Sequence, residues 1–211
     1  MDEYKYFGKV AVVGSSGVGK TSICQNFIGN KINNVELTIA AAFFRYHRCI
    51  EKERIQIDVW DTAGTDRFTD NMKNFYRGSC IVIIVYDITN RESFKGLDKW
   101  VERVIEEVPK DLSFFLVGNK LDLAHQRKVS YKEGEAYAKK LSQRFFETSA
   151  LTGENIFRLF DEIANRIYDI AKGYVYMDID SPILLTIIGK NPIPQQKQKK
   201  SGICLESCVV L

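Results

Sequence analysis

The chain has 211 residues, 45% of them hydrophobic and 27% charged, the makeup of a globular domain with a tail rather than of a fibrous or disordered chain. A formal net charge of +3 is too small to argue for a nucleic-acid partner, and none is expected. No apolar run reaches the ~18 residues of a membrane-spanning helix, and the opening MDEYKYFGKV reads as no secretory signal, so the chain is expected in the cytosol with its thiols reduced.

In chain order, Lys9 to Val13 reads as a buried strand and Lys20 to Ile28 as a helix that Gly29 stops. Ala42 to Ile50 and Arg54 to Trp60 read as paired strands joined by the charged turn Glu51-Lys52-Glu53. Cys80 to Tyr86 and Ser113 to Val117 are continuous apolar strands, of the kind buried on both faces of a parallel sheet. Arg91 to Val108 places Phe94, Leu97, Trp100, Val101 and Val104 at helical spacing, and Tyr131 to Leu141 and Glu154 to Ile170 are further helices. This alternation predicts an open, doubly wound α/β sheet with its ligand at the carboxyl ends of the strands. Past Ala171 the composition shifts to Gly, Pro, Gln and Lys, a tail interrupted by the apolar stretch Pro182 to Ile188, which is too short to span a bilayer. Cys24, Cys49 and Cys80 fall in apolar or strand-like stretches and are expected to be buried, inert thiols. His47 and His125 stand far apart and there is no CxxC, so no zinc site is expected.

Gly14 to Thr21 (GSSGVGKT) matches the phosphate-loop pattern GxxxxGK[ST] and sits between a predicted strand and a predicted helix, as that pattern requires. Glycines let the backbone wrap a phosphate with inward N–H groups, and the helix behind presents its positive end. Ser16, Gly17, Val18, Gly19, Lys20, Thr21 and Ser22 are the candidate phosphate contacts. Lys20 would reach the β- and γ-phosphates, and the Thr21 hydroxyl suits Mg²⁺.

A phosphate loop alone fits ATPases and kinases as well. Asn119-Lys120-Leu121-Asp122 after one strand and Glu147-Thr148-Ser149-Ala150 after the short stretch Arg144-Phe145-Phe146 decide for guanine. Asp122 is an acceptor-only carboxylate; guanine offers it two donors, whereas adenine offers an acceptor and no amine. Asn119 would tie its loop to the phosphate loop, the Lys120 stem would cover the base, and the Ala150 N–H would meet the guanine carbonyl, with Ser149 and Leu151 beside it.

Together with Thr38 and Asp61-Thr62-Ala63-Gly64, these motifs stand in the order and spacing of the Ras-like GTPases, over roughly residues 7 to 172. Trp60 to Gly64, Arg67-Phe68, Phe75 to Ser79 and Val85 to Phe94 (VYDITNRESF) resemble the Rab branch, and Thr38 to Phe43 (TIAAAF) is similar to endosomal-type Rabs. The resemblance implies a P-loop G domain at 7–172, a six-stranded, mostly parallel sheet flanked by about five helices, with a hypervariable tail at 173–211. It implies switch regions at 31–42 and 62–79. Thr38 would hold Mg²⁺ and touch the γ-phosphate, Gly64 would donate its N–H there, and Asp61 would hold Mg²⁺ through water. Phe43, Trp60 and Phe75 match the aromatics with which Rabs bind effectors. The implied function is a monomeric GTP/GDP-cycling switch in vesicle traffic, on the cytoplasmic face of endosomal or vesicle membranes. The implied partners are an exchange factor, a GTPase-activating protein, effectors, and a prenyl-carrying chaperone or dissociation inhibitor.

Several positions depart from that pattern. Thr65-Asp66 replaces the usual Gln-Glu, and in the handling of phosphoryl transfer by Ras-like enzymes that Gln orients the attacking water. Of the catalytic candidates Thr65, Lys20 and Gly64, Thr65 is too short for the role, so slow intrinsic hydrolysis is expected; a module that holds GTP with little turnover is the alternative. Ala40 stands for a Gly in the first switch, Leu151 for a Lys beside the base, and Ile32 or Lys31 for the aromatic that stacks on guanine, which predicts faster nucleotide exchange. The chain ends Cys208-Val209-Val210-Leu211, a CaaX box whose Leu favours geranylgeranyl. Lys190, Lys197, Lys199 and Lys200, and Cys204 as a palmitoylation candidate, could supply the second signal that stable anchoring needs.

Overall fold

The computed structural model describes residues 4–29, 41–62, 78–107 and 113–173, and the backbone of 209–210. Strands β1 (Tyr6–Gly14), β2 (Ala41–Ile50), β3 (Glu53–Thr62), β4 (Ile81–Asp87), β5 (Ser113–Asn119), β6 (Arg144–Glu147) and the two-residue β7 (Val209–Val210) form one sheet in the order β6-β5-β4-β1-β3-β2-β7. β6, β5, β4, β1 and β3 run parallel; β2 is antiparallel to β3, and β7 adds antiparallel at Phe44 and Arg45. The predicted α/β sheet is therefore present: six strands of the folded body, with β7 on its outer edge.

The parallel strands are apolar without alternation because helices cover both faces. Every residue of β4 and β5 is buried. Among the described residues the helices are α1 (Lys20–Phe27), α2 (Arg91–Lys95), α3 (Leu97–Glu107), α4 (Tyr131–Lys140) and α5 (Ile156–Ala171), and Leu121–Gln126 forms 3₁₀ turns. α5 buries Ile156, Leu159, Phe160, Ile163, Ala164 and Ile167 along one face. Phe160 stacks on Phe27 of α1 at 3.9 Å between centroids, with Phe44 and Tyr46 of β2 closing the cluster. α2 and α3 pack on β4, and α4 on β5 and β6.

Local sequence explains the boundaries. The helix read over 91–108 is two helices broken at Gly96, a poor helix former, and Asn90 caps the first by accepting from the Glu92 N–H. Ser130 and Glu133 make a reciprocal capping box at α4. The β2–β3 turn is tighter than its charge run suggests. Glu51 (φ 49°) and Lys52 (φ 68°) alone make it, and Glu53 already pairs with Ile50. Two left-handed residues are what a two-residue hairpin turn requires. Cys24 and Cys80 are buried as expected, and burial pushes the Cys80 thiol up to about 12. Cys49 corrects the expectation: it is exposed, because alternation on β2 gives the inward positions to Phe44 and Tyr46 and turns Cys49 outward.

This topology puts Gly14, Thr62, Asp87, Asn119 and Glu147, the last residues of β1, β3, β4, β5 and β6, along one edge of the sheet. β1 is central, and the chain leaves it toward β3 on one side and β4 on the other, the reversal point at which such sheets hold ligands. Ion pairs fasten that edge, and one of them holds the end of β6. Arg127 Nη1 and Nη2 donate to the two carboxylate oxygens of buried Glu147 at 2.5 and 2.8 Å, and Nη1 also donates to the Val129 carbonyl. Removing the guanidinium strands a desolvated carboxylate. Arg127→Ala should lower unfolding stability by about 2–3 kcal/mol; urea denaturation of the nucleotide-loaded protein measures it.

Candidate nucleotide site

The phosphate loop leaves β1 at Gly14 (φ 140°) and enters α1 at Gly19 (φ 95°). Neither position accepts a side chain. A Cβ on Gly14 would lie 2.2 Å from the Val85 carbonyl oxygen, and one on Gly19 would lie 2.3 Å from Asn119 Nδ2. Ser16 and Gly17 are exposed, and a Cβ on Gly17 would meet nothing within 4 Å, so open space borders the turn of the loop. Val18 is buried and roots the loop in the core. Gly19 caps α1 without a side chain, and the first turn carries no acid. The positive end of that helix therefore faces the loop unopposed, which suits an anion. Lys20 lies back over the loop, its Nζ donating to the carbonyls of Gly14 at 2.9 Å and Ser15 at 3.0 Å. Burial lowers its pKa to about 8, against the raising influence of Asp61.

At the next residue, Thr21 Oγ1 donates to Asp61 Oδ2 at 2.6 Å. Asp61 is 1% exposed, and its Oδ1 is buried with no hydrogen-bond partner among the described residues. Burial pushes its carboxyl up to about 6, while Thr21 and Lys20 pull it down. A buried carboxylate oxygen lacking a donor, beside a hydroxyl, is a hard oxygen pair of the kind Mg²⁺ takes. These two residues fit the ion. Thr62, next in β3, donates its hydroxyl to the Val12 carbonyl at 2.7 Å and fixes the strand end against β1.

Asn119 joins the two loops that the sequence singles out. Its Nδ2 donates to the Val18 carbonyl at 2.9 Å, inside the phosphate loop. Its Oδ1 accepts from Thr148 Oγ1 at 3.2 Å and from the Ala150 N–H at 3.1 Å. Ala150's amide thus already has an acceptor, and a guanine carbonyl arriving there would share or displace it. Ser149 Oγ donates to Asp122 Oδ1 at 2.6 Å, fixing one oxygen of the half-buried carboxylate. Lys120 is left-handed (φ 70°), and its ammonium pairs with Asp87 Oδ2 at 2.6 Å. Leu151 is 69% exposed and extends no polar group over the neighbouring loop.

This arrangement agrees with what the chain is similar to. Residues 9–169 match the Ras family. The chain belongs to the Ras family. It is 37% identical to the Ras-related protein Rab-11B of Dictyostelium discoideum over 167 residues, 79% of this chain and 76% of that protein. It is 35% identical to the GTP-binding protein ypt3 of Schizosaccharomyces pombe over 170 residues, 80% of this chain and 79% of that protein. These relatives place it in the Rab branch of the small GTPases, whose reaction is the hydrolysis of GTP.

Of the other residues that the Rab resemblance points to, Phe43 on β2 and Trp60 on β3 are half-buried and pair across the strands, tilted at 60° with 5.0 Å between centroids. The Arg45 guanidinium lies 5.6 Å from the Phe43 ring and the Lys9 ammonium 5.5 Å from the Trp60 ring. Thr38, Gly64, Thr65, Phe75, Cys204 and Cys208 lie outside the described residues, as do Lys31 and Ile32.

Sequence reasoning missed two connections. Asn26 of α1 donates from Nδ2 to the Ala150 carbonyl at 2.9 Å, tying the phosphate-loop helix to the guanine-side loop. Asp87 holds the head of Lys120. Its position at the carboxyl end of a buried strand was the available signal; Asn26 offered none, being one polar residue on a half-exposed helix face. The crowding at Gly19 yields a direct test. Gly19→Ala sets about 1–3 kcal/mol of backbone strain against a displaced Asn119, so GDP affinity should fall at least about tenfold while circular dichroism stays that of the folded chain. Titration with a fluorescent GDP analogue measures it.

Proposed function

We propose that this Rab-type GTPase binds GDP and GTP with Mg²⁺ at the edge formed by the ends of β1, β3, β4, β5 and β6, and that its switch regions recruit effectors for membrane traffic. The observation that carries this reading is the Asn119 side chain, which holds a phosphate loop and an Asp122–Ser149 pair in one rigid unit. That spacing suits a ligand with a purine at one end and phosphates at the other. Asp122 keeps an oxygen for the N1–H and amine of guanine, while Ser149 occupies the second.

In hydrolysis, water attacks the γ-phosphorus and the bond to the β-phosphate oxygen breaks, so negative charge gathers on the oxygens between the two groups. Ser16, Gly17, Val18, Gly19 and Ser22 offer backbone or hydroxyl donors to the phosphates, and the Lys20 ammonium, with two of its three donors on loop carbonyls, would turn its charge to the β- and γ-oxygens. Mg²⁺, when bound, neutralises part of that charge. Thr21 and Thr38 would hold it directly and Asp61 through water. Gly64 would donate its N–H to the γ-phosphate. Losing that phosphate frees the segments holding Thr38 and Gly64, the release step of the switch.

Thr65 stands where the relatives' mechanism needs a long carboxamide to orient water, so intrinsic turnover is slow and a GTP-holding, effector-recruiting form is the second reading. The domain at 7–172 carries the chemistry, and the tail at 173–211 carries the address. Phe43 and Trp60, with Phe75, form the effector surface. Exchange factor, activating protein and dissociation inhibitor act on a monomer, and a prenyl group on Cys208 places it on the cytoplasmic face of endosomal or vesicle membranes.

The purified protein should carry GDP or GTP, and excess ATP should fail to displace it; an empty protein, or one emptied by ATP, defeats the reading. Thr65→Gln should raise the single-turnover hydrolysis rate at least about tenfold, a barrier change of about 1.4 kcal/mol, and an unchanged rate returns the slow-turnover claim to zero. Cys208→Ser should move the protein from the membrane to the soluble fraction of lysed cells, and unchanged membrane association rules out the prenyl anchor.

A further inference from the structure

Asp87 ends β4 with its side chain 7% exposed, and both carboxylate oxygens are committed. Oδ1 accepts from the Thr89 N–H and from Thr89 Oγ1, each at 2.7 Å. Oδ2 meets the Lys120 ammonium at 2.6 Å. The backbone around it is equally fixed: the Asp87 N–H donates to Ser93 Oγ at 3.0 Å, and the Asn90 N–H donates to the Asp87 carbonyl at 3.0 Å. Asp87 is in register with Asn119 on β5, and the Ile88 N–H donates to the Asn119 carbonyl at 3.1 Å. A carboxylate with both oxygens paired therefore stands beside Asn119, the last residue of β5, and Lys120 that follows it.

Lys120 lies in sequence between Asn119, tied to the phosphate loop, and Asp122, tied to Ser149, so its stem borders the cleft between the two loops. A free lysine stem has four rotatable bonds, and ordering it over a ligand costs up to about 2 kcal/mol of rotamer entropy. Here the head is already fixed while the side chain remains one-third exposed. Ligand binding then orders nothing at this position, which is preorganisation.

We infer that Asp87 is a positioning residue for guanine nucleotide: braced by Thr89, it anchors the Lys120 ammonium so that the stem is held as one wall of the base cleft, and it thereby slows nucleotide release. The inference rests on the guanine-site reading of Lys120 given above. It assigns Asp87 no contact with the nucleotide.

The test is release of a fluorescent GDP analogue from the full chain in Mg²⁺ buffer, with association rates and melting temperatures measured in parallel. Asp87→Asn should speed release about tenfold, the size of one charge-assisted hydrogen bond, with association changed less than about twofold. Lys120→Met should speed release as well, and the double variant should release no faster than Lys120→Met alone, because Asp87 acts through Lys120. A purely structural role would instead multiply the two effects and overturn the inference, as would wild-type release from Asp87→Asn. Should Asp87→Asn fail to fold, Thr89→Val, which loosens the brace alone, must show faster release, and wild-type release from it also overturns the inference. A wild-type chain that takes up no GDP analogue would refute the guanine-site reading itself, an outcome separate from these.

Discussion

The site is organised by one buried carboxamide. Asn119 uses its donor on the phosphate loop and its acceptor on the loop after β6, so two segments far apart in sequence share a single rigid reference. A carboxamide suits the task because it carries both kinds of hydrogen-bonding group on one planar end. An aspartate would have no donor for Val18, and a lysine no acceptor for Ala150. Leaving either end unmatched in the interior costs about 1–3 kcal/mol. The same crowding dictates Gly19, whose missing Cβ is the room the amide occupies. The spacing between the Gly14–Thr21 loop and the Asp122 carboxylate is therefore set by the core of the sheet, through β1 and β5.

Much of this was legible in the sequence because the chemistry is local there. The apolar runs of β4 and β5 announce strands covered on both faces, and glycines at fixed intervals before Lys20 announce a backbone that must turn into left-handed space. That the Asn119 and Ser149 segments meet was legible because each stands at or just past the end of a recognisable strand, and the structure joins them through Asn119 and Ala150 and through Ser149 and Asp122. What stayed hidden depends on three-dimensional neighbours. Nothing in the order of residues says that Asn26 reaches the Ala150 carbonyl or that Arg127 neutralises Glu147. Those contacts join elements brought together only by the α/β winding. Cys49 was misjudged for a related reason: a strand at the side of the sheet has one face turned outward, and an apolar-looking stretch does not say which residues take it. The break at Gly96 and the tight Glu51–Lys52 turn show local backbone preferences overriding a longer periodic pattern.

The electrostatics of the site are those of a structure completed by its ligand. Lys20 and Asp61 are both desolvated, and burial shifts each toward its neutral form, the amine down to about 8 and the carboxyl up to about 6. Phosphate beside Lys20 favours its charged form, and a cation beside Asp61 does the same for the carboxylate. Ligand binding would thus offset the desolvation of both groups, in a low-dielectric edge of the protein where each such contact counts for more than in water. The aromatic cluster of Phe27, Phe44, Tyr46 and Phe160 packs ring on ring, with the Tyr46 hydroxyl donating to the Phe160 carbonyl at 3.2 Å, and needs no ligand to complete it. Stability is then divided between a body that holds itself and an edge that nucleotide must complete, and anything that binds only the folded form adds to its stability in proportion to the logarithm of ligand concentration. That division is what a switch requires: a scaffold indifferent to which nucleotide is present, carrying a rim of charged groups whose arrangement depends on it.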